Sequence, residues 1–376
     1  MFMTILIVNH SDIIGYRISA QHITGDLNTP EQVLESMGAV QAQDYTASLW
    51  AVGLRCKEGT TVADIERAVN ERKIARTWLM RGTIHFAAAK DIHWMMKLFA
   101  PRLLSTSRMR DRHLGLSDNV VERTKKLFYN ALKKEKKLTR KEMYKVLEKG
   151  GVPSKNNLGY HMLYRAAWDG LICFGPYSGK EQTFVLMDDY IEEGNVLSAE
   201  QAKAELAKRY FTSHGPATIR DYGWWSGLTV KDAKIGIEMA GSSLREETID
   251  GKTYYMSKKI SKPDNWQSVR LLPAFDEYLV SYADREAMLG NPKMQHALNG
   301  TLKAGKVSII HSNGIFVPVI IVDGEVVGAW SRKIVKGKMT ITLKQYVKLD
   351  KDGIKEAKEE VERYGSFFGL ETVVNY

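Results

Sequence analysis

The sequence predicts an α+β protein whose helix-rich stretches precede a β-rich C-terminal part, and three observations carry that prediction. Three successive stretches each offer about three patterns of helical period followed by a short hairpin signal. From about Trp266 the texture changes to apolar runs of strand length. The linkers between these parts are short, so the units are expected to dock rather than hang as beads. At 376 residues the chain exceeds what one hydrophobic core usually serves, and two to four domains are expected.

The first stretch, roughly residues 11–100, is the least regular. Helical patterns fall near 13–21, 30–37, 48–54 and 62–70, and a hairpin is expected around 74–87. The second, 117–190, is the clearest. Ser117 and Asp118 can start a helix carrying Val121, Leu127, Phe128 and Leu132, and Thr139 can cap another carrying Met143, Val146 and Leu147. A third helix follows over 156–169. Residues 171–174 and 183–187 then read as strands joined through Gly175-Pro176-Tyr177-Ser178-Gly179. Helix, helix, helix, hairpin is the winged-helix order. The third stretch, 198–257, repeats the plan with helices over 199–211, around Tyr222-Gly223-Trp224-Trp225 and over 230–239. Its strands flank Asp250-Gly251, a strong hairpin signal.

Beyond these, apolar runs at 307–310 and 316–322, the Asp323-Gly324 turn and a strand over 338–343 predict a small barrel or curled sheet. A charged amphipathic helix over 351–364 is expected to pack across it. The expected domains are 1–115 (first winged-helix unit with an N-terminal extension), 116–192, 193–262, and a β-barrel-like 263–376.

Composition narrows the function. Apolar and charged fractions of 44% and 26% are those of a globular protein. No run of about 18 apolar residues occurs, and the opening MFMTILIVNH has neither a basic flank nor a small-residue cleavage site. Two cysteines, Cys56 and Cys173, are too few for a disulfide framework or a cysteine-rich zinc site. A reducing cytoplasm fits best. The net charge is +10, and residues 101–150 hold 15 Lys/Arg against 6 Asp/Glu, so nine of the ten excess charges are concentrated there. That is what a phosphate-binding surface requires. Within it, Arg108 and Arg112 would share a helix face with Arg110 between them, while Lys133, Lys134, Lys136, Lys137, Arg140 and Lys141 bracket a short turn. For any single lysine, a solvated helix end is the favoured reading.

Several chemistries have no motif here: there is no Walker-type loop, dinucleotide glycine fingerprint or nucleophile elbow. The nine histidines include no pair at helical ligand spacing, so no metal and no cofactor are expected. The unusual segment is QAQDYTASLWAVGLR, residues 41–55. Gln41 and Gln43 point to one side of an extended chain but lie about 200° apart on a helix. Converged, two amides could fix a water by donating and accepting hydrogen bonds, with Asp44 as a proton acceptor. The alternative is that a Gln satisfies backbone groups at a helix entrance and Asp44 caps that helix; spacing alone favours this second reading. In RTWLMRGTIHFAAAKDIHW, residues 76–94, Arg81 and His85 flank an expected wing near Trp78 and Phe86, a set suited to a splayed base or a phosphate. A buried, hydrogen-bonded His85 under the hairpin is at least as strong a reading as a functional one. Trp224 and Trp225 are expected to fill a core.

These residues resemble the winged-helix DNA glycosylases typified by AlkZ over nearly the whole chain. The resemblance rests on Gln41-Ala42-Gln43-Asp44-Tyr45 with Leu49-Trp50-Ala51, Met80 to Phe86, His214 to Thr218, Trp224 to Leu228, Leu271 to Tyr278, and Val322-Asp323-Gly324 with Val327-Gly328 and Trp330. It implies three tandem winged-helix units and a C-terminal β-barrel forming a concave surface around DNA. It also implies that Gln41, Ala42 and Gln43 are the catalytic motif. Related branches carry Asp where Gln43 stands, and the two-glutamine version is associated with interstrand crosslinks as well as bulky N-alkylated purines. The extra segment Met1 to Asn9 departs from the pattern and receives no role. The expected activity is that of a monofunctional DNA glycosylase acting on cationic N-alkylated purines; the alternative is a non-catalytic winged-helix regulator. Expected site residues are Gln41, Gln43 and Asp44 for catalysis. Tyr45, Trp50, Arg81, His85, Arg108, Arg110, Arg112, Lys136, Lys137, Arg140 and Lys141 are expected to contact double-stranded DNA, mainly its phosphates. The protein is expected to be a monomer without a membrane partner.

Overall fold

The computed structural model describes residues 12–192, 194–262, 268–290 and 316–376. The 1–9 extension and the strand expected at 307–310 lie outside them. The chain divides into two compact units, Glu66–Ala202 and a second one made of Met1–Ile65 with Lys203–Tyr376.

In Glu66–Ala202, the two hairpins expected from the first and second stretches join in one sheet. Strands Ile74–Trp78 and Ile84–Ala88 pair antiparallel from Ile74↔Ala88 to Trp78↔Ile84. Arg76↔Phe174 links them to the hairpin Ile172–Ser178 and Glu181–Leu186, and Leu138–Thr139 adds a short edge at Leu138↔Phe184. Trp78 explains the join: its buried ring lies 4.6 Å from Phe174 and 6.3 Å from Phe184, an aromatic core across both hairpins. Helices Ala89–His113, Asp118–Glu135, Arg140–Lys149 and Leu158–Trp168 complete the unit. Thr139 and Glu142 form a reciprocal capping box at the third of these. The 25-residue helix Ala89–His113 continues through Pro101.

In the other unit, Thr29 caps Pro30–Met37 and Asp44 caps Tyr45–Gly53. Helices Ile219–Ser226 and Val230–Ala240 precede the hairpin Leu244–Ile249 and Lys252–Ser257. Its turn residues Asp250 and Gly251 both have positive φ, 48° and 75°, as a two-residue hairpin turn demands. The C-terminal sheet runs Glu371–Asn375, Lys338–Gln345, Glu325–Val335, Val319–Val322, Val269–Leu272, with only the first pair parallel. Among the described residues it is an open five-stranded sheet, so the expected β-rich domain is present without closure into a barrel. Helix Lys351–Phe368 covers its edge: Glu356 and Glu360 accept the backbone N–H groups of Val269 and Leu271. An edge strand whose donors are taken by side chains offers no template for another chain. The fold is mixed α and β. Among the described residues no helix is long and apolar enough to cross a membrane.

Candidate active site

The motif stands where a strand becomes a helix. Gln41 ends the short strand Val40–Gln41, Ala42 and Gln43 form the passage, and the helix Tyr45–Gly53 begins after Asp44. Asp44 has extended backbone (φ −95°, ψ 109°), and its Oδ1 accepts the Ala47 N–H at 3.0 Å. The capping alternative for Asp44 is therefore realised, and it stabilises the helix start by about 1 kcal/mol. Gln41 is buried at 7% exposure, whereas Gln43 and Asp44 are exposed.

What holds the strand end is a carboxylate far away in sequence. Glu277, itself buried, accepts the Gln41 backbone N–H at 2.7 Å on Oε1. Its Oε2 accepts the Trp225 indole N–H at 3.0 Å and the Ser281 hydroxyl, and His214 Nε2 stands 3.8 Å away. Burial depresses the His214 pKa well below the ordinary range, with the Arg55 charge adding to it, so the ring is neutral and Glu277 rests on neutral donors. Beside it, Arg55 makes a two-pronged bond to Asp276, 2.9 Å to each oxygen. Both side chains are buried. Burial opposes the Arg55 charge, but Asp276 and then Glu277 outweigh it and raise its pKa. Arg55 also donates to the carbonyls of Gln21 and Ala51 and to the Gln21 side chain. Gln21 in turn donates to the Tyr282 hydroxyl, which donates to the His214 carbonyl.

This buried network was not read from the sequence, although its signal is there. Asp276 and Glu277 are adjacent carboxylates between the apolar pair Leu271-Leu272 and the run Tyr278 to Val280. Charges flanked by core residues must be paired if they are buried.

The residues expected to meet DNA separate into two groups. Arg108, Arg110, Arg112, Lys136, Lys137, Arg140 and Lys141 are all exposed in the unit Glu66–Ala202, and Arg108 and Arg112 share one helix. Arg140 donates to Gln182 and lies 5.7 Å from the Tyr160 ring. Tyr45 and Arg81 are half-buried, Arg81 with a φ of 56°.

Two others need correction. Trp50 is 1% exposed: its indole N–H donates to the Leu271 carbonyl, and its ring packs edge-on against Tyr364 and Phe367 at 5.1 and 5.2 Å. It binds the motif's helix to the core instead of facing DNA. His85 is likewise buried in its strand, with Nδ1–H donating to the Thr83 carbonyl at 2.9 Å. Burial, with the nearby Arg81 charge, pushes its pKa down to about 3, so it carries no charge for a phosphate. The tryptophan pair also divides: Trp225 is buried as expected, but Trp224 is 49% exposed. Among the described residues no group of three or more His, Cys, Asp or Glu is placed to hold a metal ion.

The family model described as "DNA glycosylase AlkZ-like" matches residues 34–367, an interval containing both the glutamine motif and its Glu277 anchor. An interstrand DNA cross-link repair glycosylase of Streptomyces sahachiroi is 26% identical over 332 residues, 82% of this chain and 83% of that protein. The fold is similar to the solved structure of the Streptomyces sahachiroi DNA glycosylase AlkZ, with a TM-score of 0.76 and 21% identity, covering 98% of this chain and 99% of that one.

Proposed function

Because this chain belongs to the AlkZ-like family of DNA glycosylases and is itself a DNA glycosylase, we propose that it releases cationic N-alkylated purines, interstrand crosslinks among them, and leaves an abasic site. The observation that carries this reading is the anchored motif, with Gln41 buried and held through Glu277 while Gln43 is exposed two residues on. The cross-link repair activity named for the Streptomyces sahachiroi relative supports the substrate class.

Alkylation at purine N7 makes the base cationic. When the C1′–N bond breaks, the base leaves with the bonding electron pair and becomes neutral. A water oxygen then bonds C1′, and its proton passes to solvent. The reaction needs a positioned water and support for an oxocarbenium-like sugar more than a strong base. In this scheme Gln43 orients the water and Gln41 holds Gln43 or the water in place. Asp44 serves the helix start, since its Oδ1 already accepts from Ala47. No lysine nucleophile is assigned, and the enzyme is monofunctional.

The finer architecture belongs to the same reading. The helices and hairpins of the three stretches are winged-helix units, and the C-terminal sheet is the β-barrel-like element. The exposed cations of residues 101–150 bind the phosphates of duplex DNA in a monomer acting in the cytoplasm. The regulator alternative is not favoured, because helix Leu158–Trp168 carries Leu158, Met162, Leu163 and three aromatic residues, with few side chains suited to base edges.

The test is incubation with duplex containing 7-methylguanine or a nitrogen-mustard crosslink, scored for abasic sites. Gln43→Ala and Gln41→Ala are expected to slow release by about 10²-fold. Undiminished release in both variants overturns the mechanism, and no release from any cationic adduct by the wild type overturns the function.

A further inference from the structure

The half of the tryptophan pair that left the core has an unusual setting. The Trp224 indole N–H donates to the Val280 carbonyl at 2.9 Å, so its donor is already engaged and the half-exposed ring presents chiefly π surface. The Arg285 guanidinium stands 5.4 Å from the centre of that ring and 5.1 Å from Phe316. Phe316 lies 6.5 Å from Phe275, whose φ of 59° places it in a region that bulky residues rarely occupy. Arg285 is held by its bond to the Leu279 carbonyl at 2.7 Å. The result is a row of ring, guanidinium, ring and ring.

The row is coupled to the glutamine motif through one turn of helix. Helix Glu277–Val280 is gripped at both ends by the neighbouring tryptophans: Trp225 donates to the Glu277 side chain and Trp224 to the Val280 carbonyl. The other oxygen of Glu277 accepts from the Gln41 backbone. One buried carboxylate therefore ties both the motif strand and the base of the aromatic row. Trp225 also lies against the residues leading into the motif, with Cη2 3.6 Å from where a Cβ on Gly38 would stand.

Resting on the glycosylase reading above, we propose that Trp224, braced by Arg285, is a substrate-positioning residue that stacks on the neutral aromatic ring of a bulky adduct. The chemistry selects that partner. Arg285 already supplies the cation beside the indole, so a second cation such as the alkylated purine itself would meet electrostatic repulsion. A neutral aryl group would not. Exposed tryptophan with a satisfied N–H is rigid, has only two side-chain torsions to lose, and gives large contact area.

The test compares binding to duplexes carrying one 2′-fluoro nucleotide, which resists base loss, alkylated at guanine N7 with either benzyl or the similarly bulky but non-aromatic cyclohexylmethyl. Wild type is expected to prefer the benzyl duplex by about five- to tenfold, the scale of one stacking contact. Trp224→Phe keeps the preference, and Trp224→Ala abolishes it while leaving affinity for unmodified duplex within about twofold. If Trp224→Ala does not fold, Trp224→Leu carries the same expectation. Equal binding of the two adducts by wild type, or a benzyl preference undiminished in the non-aromatic variants, overturns the proposal. Release of 7-benzylguanine from the ordinary deoxynucleotide duplex is scored separately. Its absence alongside a benzyl preference would overturn the catalytic reading and leave the stacking residue standing.

Discussion

The backbone N–H of Gln41 and the side chain of Glu277 meet at 2.7 Å across 236 residues of chain. The carboxylate also receives donors from Trp225 and Ser281, and an amide in its place cannot accept on both sides. Glu277→Gln would turn its NH₂ toward one donor set. The expected loss is about 1.5–3 kcal/mol of stability, the scale of a buried charge-assisted bond, read as a lower urea midpoint. Base release should slow by about tenfold with DNA affinity unchanged, because the motif strand loosens while the phosphate contacts do not. Unaltered release would show that Glu277 supports the fold without positioning the motif.

Arg55 and Asp276 are a buried two-pronged pair. Removing either charge strands the other, so Arg55→Ala and Asp276→Asn should each cost about 3–5 kcal/mol. Arg55→Lys should rescue little, since an ammonium cannot reproduce the planar fork that also reaches Gln21 and Ala51. Denaturant titrations of the single variants and of Arg55→Met combined with Asp276→Leu check this. The apolar double variant is expected to be more stable than either alanine or asparagine single.

How much of this was legible in the sequence depends on the range of the interaction. Thr139 with Glu142, Asp250-Gly251 and the helix periods are local, and their elements appear where the pattern places them. Arg76↔Phe174 is not local, and nothing in either hairpin's alternation says that the two will share a sheet. The glutamine motif is visible as an odd spacing; the adjacent carboxylates Asp276 and Glu277 mark a pair that must be satisfied if buried, but nothing local says that Glu277 meets Gln41, 236 residues away. Trp50 and Trp224 show the limit from the other side. Both are aromatic residues in helices, and only tertiary packing decides that Trp50 is buried and Trp224 half-exposed.

His85 makes stability depend on acidity. Its folded-state pKa is pushed down to about 3, below the ordinary 6.5, so the unfolded chain binds a proton that the folded ring refuses. The contribution is fully present above about pH 6.5 and is lost as pH falls toward 3. The slope from this residue approaches about 1.4 kcal/mol per pH unit within that window. His85→Asn keeps a donor for the Thr83 carbonyl but cannot titrate. Its unfolding free energy, measured from pH 7 to 4, should fall less steeply than wild type by about that slope. Equal slopes would mean that His85 opens to solvent well before global unfolding.

The exposed cations of residues 101–150 give the last prediction, because their role is separable from chemistry by its salt dependence. Each phosphate neutralised releases condensed counterions, so the slope of log affinity against log salt changes by about 0.9 per contact on duplex DNA. Replacing Lys136, Lys137, Arg140 and Lys141 together by Ala should therefore flatten the slope by about two to four. Affinity at low salt should drop equally for damaged and undamaged duplex, since phosphate contacts carry no lesion information. Single-turnover release at saturating enzyme should stay near wild type, because Gln41, Gln43 and Glu277 are untouched. A variant that kept the full salt slope would assign these residues to a solvated surface, and one that lost single-turnover rate at saturation would tie them to the motif itself.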